Sequence, residues 1–248
     1  MPIKSPNFAS AAENNLEWCK PIAEALDSLS LRSLRIVCPC CRERGLLISR
    51  WIKGPRSKPL YVIHVQRGKI KGVCELSDEQ SSKIRGQVPV YESDIRKLLR
   101  SRRPFVLFSG GKDSLATSAY LRALARGSTH GITAIYVDTT AGIAQNMRYV
   151  RRVSKYLGLK LKIVRLKIDY FTLARDWGIP SFRYRWCCRE LKIKPIQQYL
   201  ATIKEPKVVF DGIRAAESYI RRQYIPIWYH PSFHCLSVSP IFHWSDAR

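Results

Sequence analysis

The stretch Ser109–Ser114 constrains the fold more than any other part of the chain, because it joins an apolar run to a helical pattern through two adjacent glycines. The run Phe105–Phe108 predicts a buried strand, and Leu115–Ala125 predicts a helix. Gly110 and Gly111 let the backbone turn and bring its N–H groups close to a ligand. The helix N-terminus adds unpaired N–H groups and a partial positive charge, so the turn suits a polyphosphate or pyrophosphate.

The side chains of this turn favour the same class of ligand. Lys112 adds a full positive charge, and Ser109 and Ser114 add hydroxyl donors. The spacing is not that of a Walker A loop, because no G-x-x-x-x-G-K-[ST] is present. An ordinary glycine-rich βα turn is the structural alternative.

The run Ser109-Gly110-Gly111-Lys112-Asp113-Ser114 resembles the SGGxDS signature of the PP-loop ATP pyrophosphatase superfamily. The resemblance implies cleavage of ATP between its α and β phosphates, with adenylation of a substrate, or binding of a related adenosine nucleotide. It also implies that all six residues bind the nucleotide. The match in its strand–turn–helix context favours a nucleotide site over an ordinary turn.

Length and composition bound the class of protein. A chain of 248 residues with 46% hydrophobic residues forms one large domain, or one domain with a small appendage. No apolar run approaches the length of a membrane span, and Met1–Ser10 lacks the pattern of a secretory leader, so we expect a cytoplasmic protein without membrane contact. The net charge of +24 favours nucleotides or RNA as partners, although a charged, solvated surface explains it equally well.

The N-terminal third carries a cysteine pattern of its own. A packing helix is predicted from about Phe8 to Leu29, and strands at Leu46–Trp51 and Leu60–His64. Cys38 and Cys41 have the C-x-x-C spacing that can direct two thiolates at one zinc ion, and His64 and Cys74 are the natural further ligands. The alternative is a small β element with buried or loosely reactive cysteines.

The charge and proline pattern then divides the chain. The polar stretch Ser77–Gly86 reads as a linker, and a helix from Glu92 ends before Pro104. We therefore expect a helical segment at 1–33, a knuckle-like β region at 34–76 and a nucleotide-binding domain at 90–248.

The second strand of that domain, Ile132–Val137, ends at Asp138. An acid at the carboxyl end of a parallel strand lies on the ligand side of an α/β sheet, or it caps the next helix. Asp138-Thr139-Thr140 resembles the family's VDTG segment, which implies that Asp138 borders the adenosine. The following helix, Ala144–Leu157, carries a basic face at Arg148, Arg151, Arg152 and Lys155 that tracks phosphates or is simply solvated.

The segment Arg185–Pro195 resembles the R-W-C…L-K…P segment of the phosphoadenosine phosphosulfate (PAPS) reductase branch. The resemblance implies that Arg185, Arg189 and Lys192 hold an anionic substrate. In relatives that contain a [4Fe–4S] cluster, a paired cysteine acts with a later C-x-x-C. Here only Cys235 follows Cys187 and Cys188, so this cluster is not expected, and one buried and one inert cysteine is the favoured reading.

The third matching element follows the strand Lys207–Phe210. Gly212–Arg221 resembles the family's G-x-R-x-x-E-S-x-x-R element, which implies that Gly212 lets the nucleotide approach closely. It also implies that Arg214 and Arg221 neutralise phosphate or sulfate charge. Lys112 and Arg214 are then the catalytic candidates, because they would stabilise charge on the leaving group.

These motifs imply a three-layer α/β/α domain with a mainly parallel sheet, of the Rossmann-like, adenine nucleotide alpha hydrolase-like kind. The implied cofactors are ATP or PAPS with Mg²⁺, and the reaction is adenylation with pyrophosphate release or sulfonucleotide chemistry. The reductases' C-terminal E-C-G-x-H segment is absent from this sequence, so PAPS reduction would need a thiol-donating partner protein. Sulfuration of tRNA or DNA and a non-catalytic nucleotide- or nucleic-acid-binding module are the alternatives.

Overall fold

A computed structural model describes residues 19–49, 59–67, 69–126 and 131–245. Its N-terminal part consists of helix α1 and a four-stranded antiparallel sheet in the order β1-β2-β3-β4. These elements are α1 Lys20–Asp27, β1 Arg35–Val37, β2 Arg44–Ser49, β3 Leu60–Gln66 and β4 Lys69–Glu75. The predicted helix from Phe8 is present as α1, and the part before Cys19 lies outside the described residues, as do residues 50 and 51 of the predicted strand Leu46–Trp51.

A six-stranded sheet forms the rest of the molecule, in the order β7-β6-β5-β8-β10-β9. Its strands are β5 Arg103–Leu107, β6 Thr133–Val137, β7 Lys160–Val164, β8 Lys207–Phe210, β9 Ile227–His230 and β10 Cys235–Val238. All neighbouring pairs are parallel except β9 and β10, which are antiparallel. The prediction of a mainly parallel sheet is confirmed.

Helices cover both faces of this sheet. The helices that follow the N-terminal sheet in the described residues are α2 Asp78–Arg85, α3 Glu92–Ser101, α4 Lys112–Leu124, α5 Ala144–Tyr156, α6 Tyr170–Trp177, α7 Trp186–Cys188, α8 Lys194–Ala201 and α9 Tyr219–Arg222. Because side chains alternate along a strand, Phe105 packs with Leu200 of α8 on one face, while Val106 joins Leu121 of α4 on the other. This arrangement confirms the three-layer α/β/α prediction.

Two parts of the chain differ from the sequence-based expectation. The predicted linker at Ser77–Gly86 is wrong: it contains helix α2, which begins with a reciprocal capping box between Ser77 and Gln80. The hairpin β9–β10 was not predicted at all. Among the described residues, none of the helices combines the length and the apolar character needed to cross a bilayer.

The N-terminal sheet packs directly on the six-stranded sheet. Ile48 and Ile63 belong to the same apolar core as strands β5 and β8 and helices α3 and α4. On its other face, Leu47 shares a second core with Ile225, just before β9, and Trp228 of β9 packs against that core. Strand β2 thus runs close to β9, the outermost strand of the larger sheet.

Candidate functional site

A cavity of about 650 Å³ opens at the carboxyl ends of β5, β6 and β8. This is the edge at which open α/β sheets bind ligands. The loop between β5 and α4 forms one wall, and the strand ends form an apolar wall that includes Leu107, Ile135 and Val137. Ile193 and Ile196, beside and within α8, close the apolar side. The cavity therefore combines an apolar half with a polar half made by the loop.

The backbone of the loop is shaped by Gly110. Its φ is +85°, and a Cβ there would lie 2.6 Å from Asn146 Oδ1. Gly111 is the N-cap of α4, and the first bond of this helix runs from Leu115 N–H to the Gly111 carbonyl at 2.9 Å. The N–H groups of the three residues before Leu115 consequently have no acceptor within the helix. Those residues line the cavity, so the helix N-terminus presents donors to it.

The two serine hydroxyls predicted as ligand donors bind within the loop itself. Ser109 Oγ donates to Ser114 Oγ at 3.2 Å, and Ser114 Oγ donates to the Gly111 carbonyl at 2.9 Å. Both residues line the cavity, but in this structure their hydroxyl protons stabilise the shape of the turn. Besides these hydroxyl groups, the loop contributes the backbone N–H groups at the start of α4 and the Lys112 side chain to the cavity lining.

Gly212 lies at the cavity for a reason that differs from the expected one. A Cβ on Gly212 would lie 2.9 Å from the Asp113 carbonyl carbon and 3.0 Å from the Ser114 nitrogen. The glycine is therefore required by the packing of its segment against the loop.

Asp211, the residue before Gly212, is buried and accepts hydrogen bonds from Ser237 and Ser239. These hydrogen bonds join the end of β8 to β10. Burial raises the pKa of this carboxyl group.

Arg214 is buried beneath the loop and is not among the residues that line the cavity. Its Nε lies 2.8 Å from Asp113 Oδ1, and its side chain is 5% exposed. The ion pair therefore connects the first turn of α4 to the segment after β8. This geometry differs from the predicted contact between Arg214 and a ligand.

Arg221, the other arginine predicted to neutralise phosphate or sulfate charge, does lie at the cavity. It lies on α9, lines the cavity, and its guanidinium group pairs with Glu217, which also accepts a hydrogen bond from the Arg214 N–H at 3.0 Å. The Arg221 side chain is 39% exposed, so it can reach an anion in the cavity while Glu217 orients it.

The three cations predicted in the segment Arg185–Lys192 are separated by the backbone. A π-helical turn at Arg189–Ile193 follows α7 and directs Lys192 into the cavity lining. Arg189 instead pairs with Glu190 at 2.8 Å, and that carboxylate also pairs with Lys194 at 3.0 Å. The hydrogen bond from Lys194 and that from Arg189 hold the pKa of Glu190 below its usual value. Arg185 is exposed outside the cavity.

Trp186 fixes the position of this segment. It is buried, stacks on Tyr170 of α6 with a centroid distance of 5.6 Å, and donates its Nε1–H to the Gly178 carbonyl at 3.0 Å. With Leu173 and Leu191 it forms a small separate core. The R-W-C motif thus holds α6 against the turn that carries Lys192.

Asp138 lies at the end of β6, but it is not among the residues that line the cavity. Its neighbour Thr139 does line the cavity. Its Oδ1 accepts the Thr140 N–H at 2.9 Å, and its Oδ2 lies 3.6 Å from Arg165. Thr140, where the family segment has glycine, has a φ of +60°. Its hydroxyl oxygen accepts the Tyr170 N–H at 2.7 Å, which helps to offset the unfavourable backbone conformation.

Asn146 is a site residue that sequence reasoning missed. Its side-chain amide donates to the Ser109 carbonyl and to the Tyr136 hydroxyl, each at 3.3 Å, and it lines the cavity. It also packs against Gly110. An amide in the first turn of the helix after the second strand was the signal that could have identified it.

The charges at the cavity favour an anion. Its lining includes the cations Lys112, Lys192 and Arg221, and the carboxylates Asp113 and Glu217, each of which is held in an ion pair with an arginine. Because both carboxylates are paired, the structure gives no support for a Mg²⁺ site made by them. Stabilising negative charge on a bound phosphate is the chemistry that this arrangement can perform.

Comparison with known proteins is consistent with these features. Residues 103–248 match the family model for the phosphoadenosine phosphosulfate reductase domain, which is more than half of the chain. The chain belongs to the PAPS reductase domain family.

Two relatives come from Methanocaldococcus jannaschii. Uncharacterized protein MJ0066 is 34% identical over 149 residues, covering 58% of this chain and 29% of its own length. Uncharacterized protein MJ0973 is 31% identical over 116 residues, covering 47% of this chain and 27% of its own length. The match thus spans less than a third of either relative.

Two solved structures are similar to this chain. Phosphoadenylyl-sulfate (PAPS) reductase from Candida auris, in a phosphate complex, has a TM-score of 0.46 and 17% identity, covering 70% of this chain and 83% of that one. Candida glabrata FMN adenylyltransferase, in complex with FAD and inorganic pyrophosphate, has a TM-score of 0.46 and 14% identity, covering 68% and 54%.

None of the cysteines Cys187, Cys188 and Cys235 of this PAPS reductase-domain protein is among the residues that line the cavity. Cys235 begins β10, at the edge of the sheet opposite the cavity, and burial raises the pKa of its thiol to about 12. Cys187 and Cys188 are both half-buried, which differs from the expected pair of one buried and one inert cysteine. Burial, together with the Cys188 thiol, raises the pKa of Cys187.

A second constellation lies in the N-terminal sheet of the family member. The side chains of Cys38, Cys41, His64 and Cys74, which the sequence pattern had grouped, place their ligand atoms within 4.8 Å of one another. Burial raises the pKa of Cys74 to about 12, and the neighbouring thiols Cys38 and Cys41 add to this shift. These are the residues in the described structure that could hold a metal ion.

Proposed function

We propose that the cavity binds ATP or a related adenosine nucleotide such as PAPS and that the protein acts at its phosphates. The reaction would be adenylation with release of pyrophosphate, or sulfonucleotide chemistry. The observation that carries this proposal is the junction of the Ser109–Ser114 loop, the N-terminus of α4 and the apolar ends of β5 and β6 in one cavity. A volume of about 650 Å³ lies within the usual range for small-molecule sites.

Each half of the cavity suits one half of the nucleotide. The adenine would pack against the apolar wall that contains Ile135 and Val137, and the phosphates would accept hydrogen bonds from the backbone of the loop. Membership of the PAPS reductase domain family supports the same class of ligand.

The side chains at and beneath the loop would have different roles toward the phosphates. Lys112, Lys192 and Arg221 would stabilise the charge that develops on the leaving group, because all three line the cavity. Arg214 would act as a positioning residue, since it holds Asp113 and hence the first turn of α4. Asn146 would hold the Ser109 carbonyl and thereby the start of the loop.

Titration calorimetry with ATP and with PAPS tests the proposal, combined with an assay for released pyrophosphate. Lys192→Ala should weaken nucleotide binding by at least about tenfold, because a hydrogen bond to a charged group contributes about 1.5–3 kcal/mol. Arg189→Ala is the matched control: it lies in the same π-helical turn but pairs with Glu190, so affinity should change less than about twofold.

Two results would contradict the proposal. If the wild-type protein binds neither ATP nor PAPS, the cavity is not a nucleotide site. If Arg189→Ala weakens binding as much as Lys192→Ala, the assignment of Lys192 as the cation that reaches the phosphates is wrong.

A further inference from the structure

The cluster Cys38–Cys41–His64–Cys74 has no role in the proposed nucleotide chemistry, because none of its members lines the cavity. Cys38 and Cys41 flank the turn between β1 and β2, His64 lies on β3, and Cys74 lies on β4. One connection and two neighbouring strands of the N-terminal sheet therefore supply ligand atoms to one point. Cys38 and His64 are buried, and Cys41 and Cys74 are half-buried.

The knuckle that presents the first two thiols is built by the backbone. The Cys38 N–H donates to the Glu43 carbonyl at 2.8 Å, and the Arg42 N–H donates to the Cys38 carbonyl at 2.9 Å. Arg42 has a φ of +65°, so the chain reverses tightly just after Cys41. The turn thus holds both sulfur atoms on the same side.

The imidazole is oriented in the way that a metal ligand requires. His64 Nδ1 lies 3.2 Å from the Arg44 carbonyl, and a carbonyl can only accept, so Nδ1 carries the proton. In the neutral imidazole with this tautomer, Nε2 carries the lone pair, and it lies 3.3 Å from Cys41 Sγ. Metal-bound histidines use this second hydrogen bond to a carbonyl to fix the tautomer.

We propose that Cys38, Cys41, His64 and Cys74 bind a structural zinc ion that holds the N-terminal sheet on the edge of the six-stranded sheet. Three thiolates and one imidazole are a donor set typical of structural zinc. Four protein ligands leave no coordination position for water or substrate, so the role is structural and not catalytic.

The location of the site explains what the ion would hold. Cys38 belongs to the apolar core that contains Leu47 and Ile225, and Cys74 and Trp228 pack against that core. Strand β9 is the last strand of the six-stranded sheet, and unpaired edges of sheets require cover. Zinc would link the β1–β2 connection to strands β3 and β4 and would thereby stabilise the part of the N-terminal sheet that packs against β9.

Cys40 provides a matched control within the same turn. It is exposed, and its Sγ lies 3.8 Å from the Glu75 carbonyl and 3.7 Å from Gln80 Oε1, so it is not part of the cluster. The substitutions Cys40→Ser and Cys41→Ser are one position apart in the chain, but we expect opposite effects on the zinc content of the protein.

The experiment is metal analysis of the purified full-length chain by inductively coupled plasma mass spectrometry, for the wild type and both variants. We expect about one zinc per chain in the wild type and in Cys40→Ser, and a loss of most of the zinc in Cys41→Ser. Wild type that contains no zinc, or that contains iron instead, would overturn the proposal. Equal loss in the two variants would overturn the ligand assignment.

A second measurement on the wild type does not depend on the folding of any variant. With a thiol-alkylating reagent and mass spectrometry, Cys40 should react before chelation, and Cys38, Cys41 and Cys74 should react only after a zinc chelator is added. Cobalt(II) added to the chelated protein should give the strong visible absorption of tetrahedral cobalt thiolates. Ligand thiols that react equally with and without chelator would contradict the proposal.

Discussion

Glycines at the cavity show how single residues set its shape. Gly110 has a φ that side chains disfavour and packs against Asn146, and Gly212 packs against the backbone of Asp113. Gly111 has a φ of −78°, and the nearest atom to a Cβ there would be Ser109 Oγ at 3.6 Å. From the sequence, all three glycines were predicted to let the backbone approach a ligand. Which of them cannot carry a side chain depends on contacts between distant parts of the chain, and the sequence does not show those contacts.

Gly212→Ala tests this distinction. The added Cβ must displace the backbone at Asp113 and Ser114, so we expect the free energy of unfolding to fall by about 1–3 kcal/mol and ATP binding to weaken. Gly111→Ala, the control, should lower the free energy of unfolding by about 0.5 kcal/mol. Urea denaturation of both variants measures the difference, and equal destabilisation would show that the close approach of Gly212 to the loop is not as described.

Thr140 shows how a departure from the family pattern is accommodated. It adopts a left-handed conformation where the family segment has glycine, and its hydroxyl accepts the N–H at the start of α6. A sequence comparison shows the substitution but not the compensating bond, because the two residues are thirty positions apart.

At the scale of elements, the strongest patterns predicted the structure well. The helices at Glu92–Ser101 and Lys112–Leu124 and the strand Lys207–Phe210 were all expected, because each has a clear apolar pattern and a clear boundary. Helix α2 was missed because its composition is polar, although its S-x-x-Q capping box was present in the sequence. The hairpin β9–β10 was missed because its strands have only four residues each.

The cations of the site show why element geometry limits sequence reasoning. The resemblance implied that Arg185, Arg189 and Lys192 act together, but the π-helical turn places only Lys192 in the cavity lining. An irregular turn of this kind changes which side chains share a face, and the sequence does not mark it.

The two arginines after β8 should separate stability from binding. Arg214→Ala leaves Asp113 without its buried partner, so the free energy of unfolding should fall by about 3 kcal/mol. Arg221→Ala removes a partly exposed partner of Glu217, so it should lower the free energy of unfolding by less than about 1 kcal/mol but weaken ATP binding about tenfold. Urea denaturation and calorimetry on both variants measure the split.

The reverse pattern would refute the assignment of roles to these arginines. If Arg214→Ala retained full stability and lost only nucleotide affinity, Arg214 would contact the ligand as the family pattern implies, and the ion pair with Asp113 would be secondary.

At the scale of the whole molecule, the family motifs predicted the three-layer fold. In that fold, most of the candidate nucleotide-binding residues lie at one edge of the six-stranded sheet. They did not predict that the N-terminal sheet shares cores with the larger sheet, because those contacts join residues far apart in sequence. The net charge of +24 and the exposed basic face of α5 are compatible with a nucleic-acid partner, and that partner stays a prediction.

Hydrogen exchange of the backbone amides with and without ATP tests the central claim most directly. The account predicts that saturating ATP slows exchange at residues 109–114, because phosphate oxygens would accept hydrogen bonds from these N–H groups, while the amides of β4 stay unchanged. Unchanged exchange at residues 109–114 in the presence of ATP, at a concentration that saturates any binding seen by calorimetry, would contradict it.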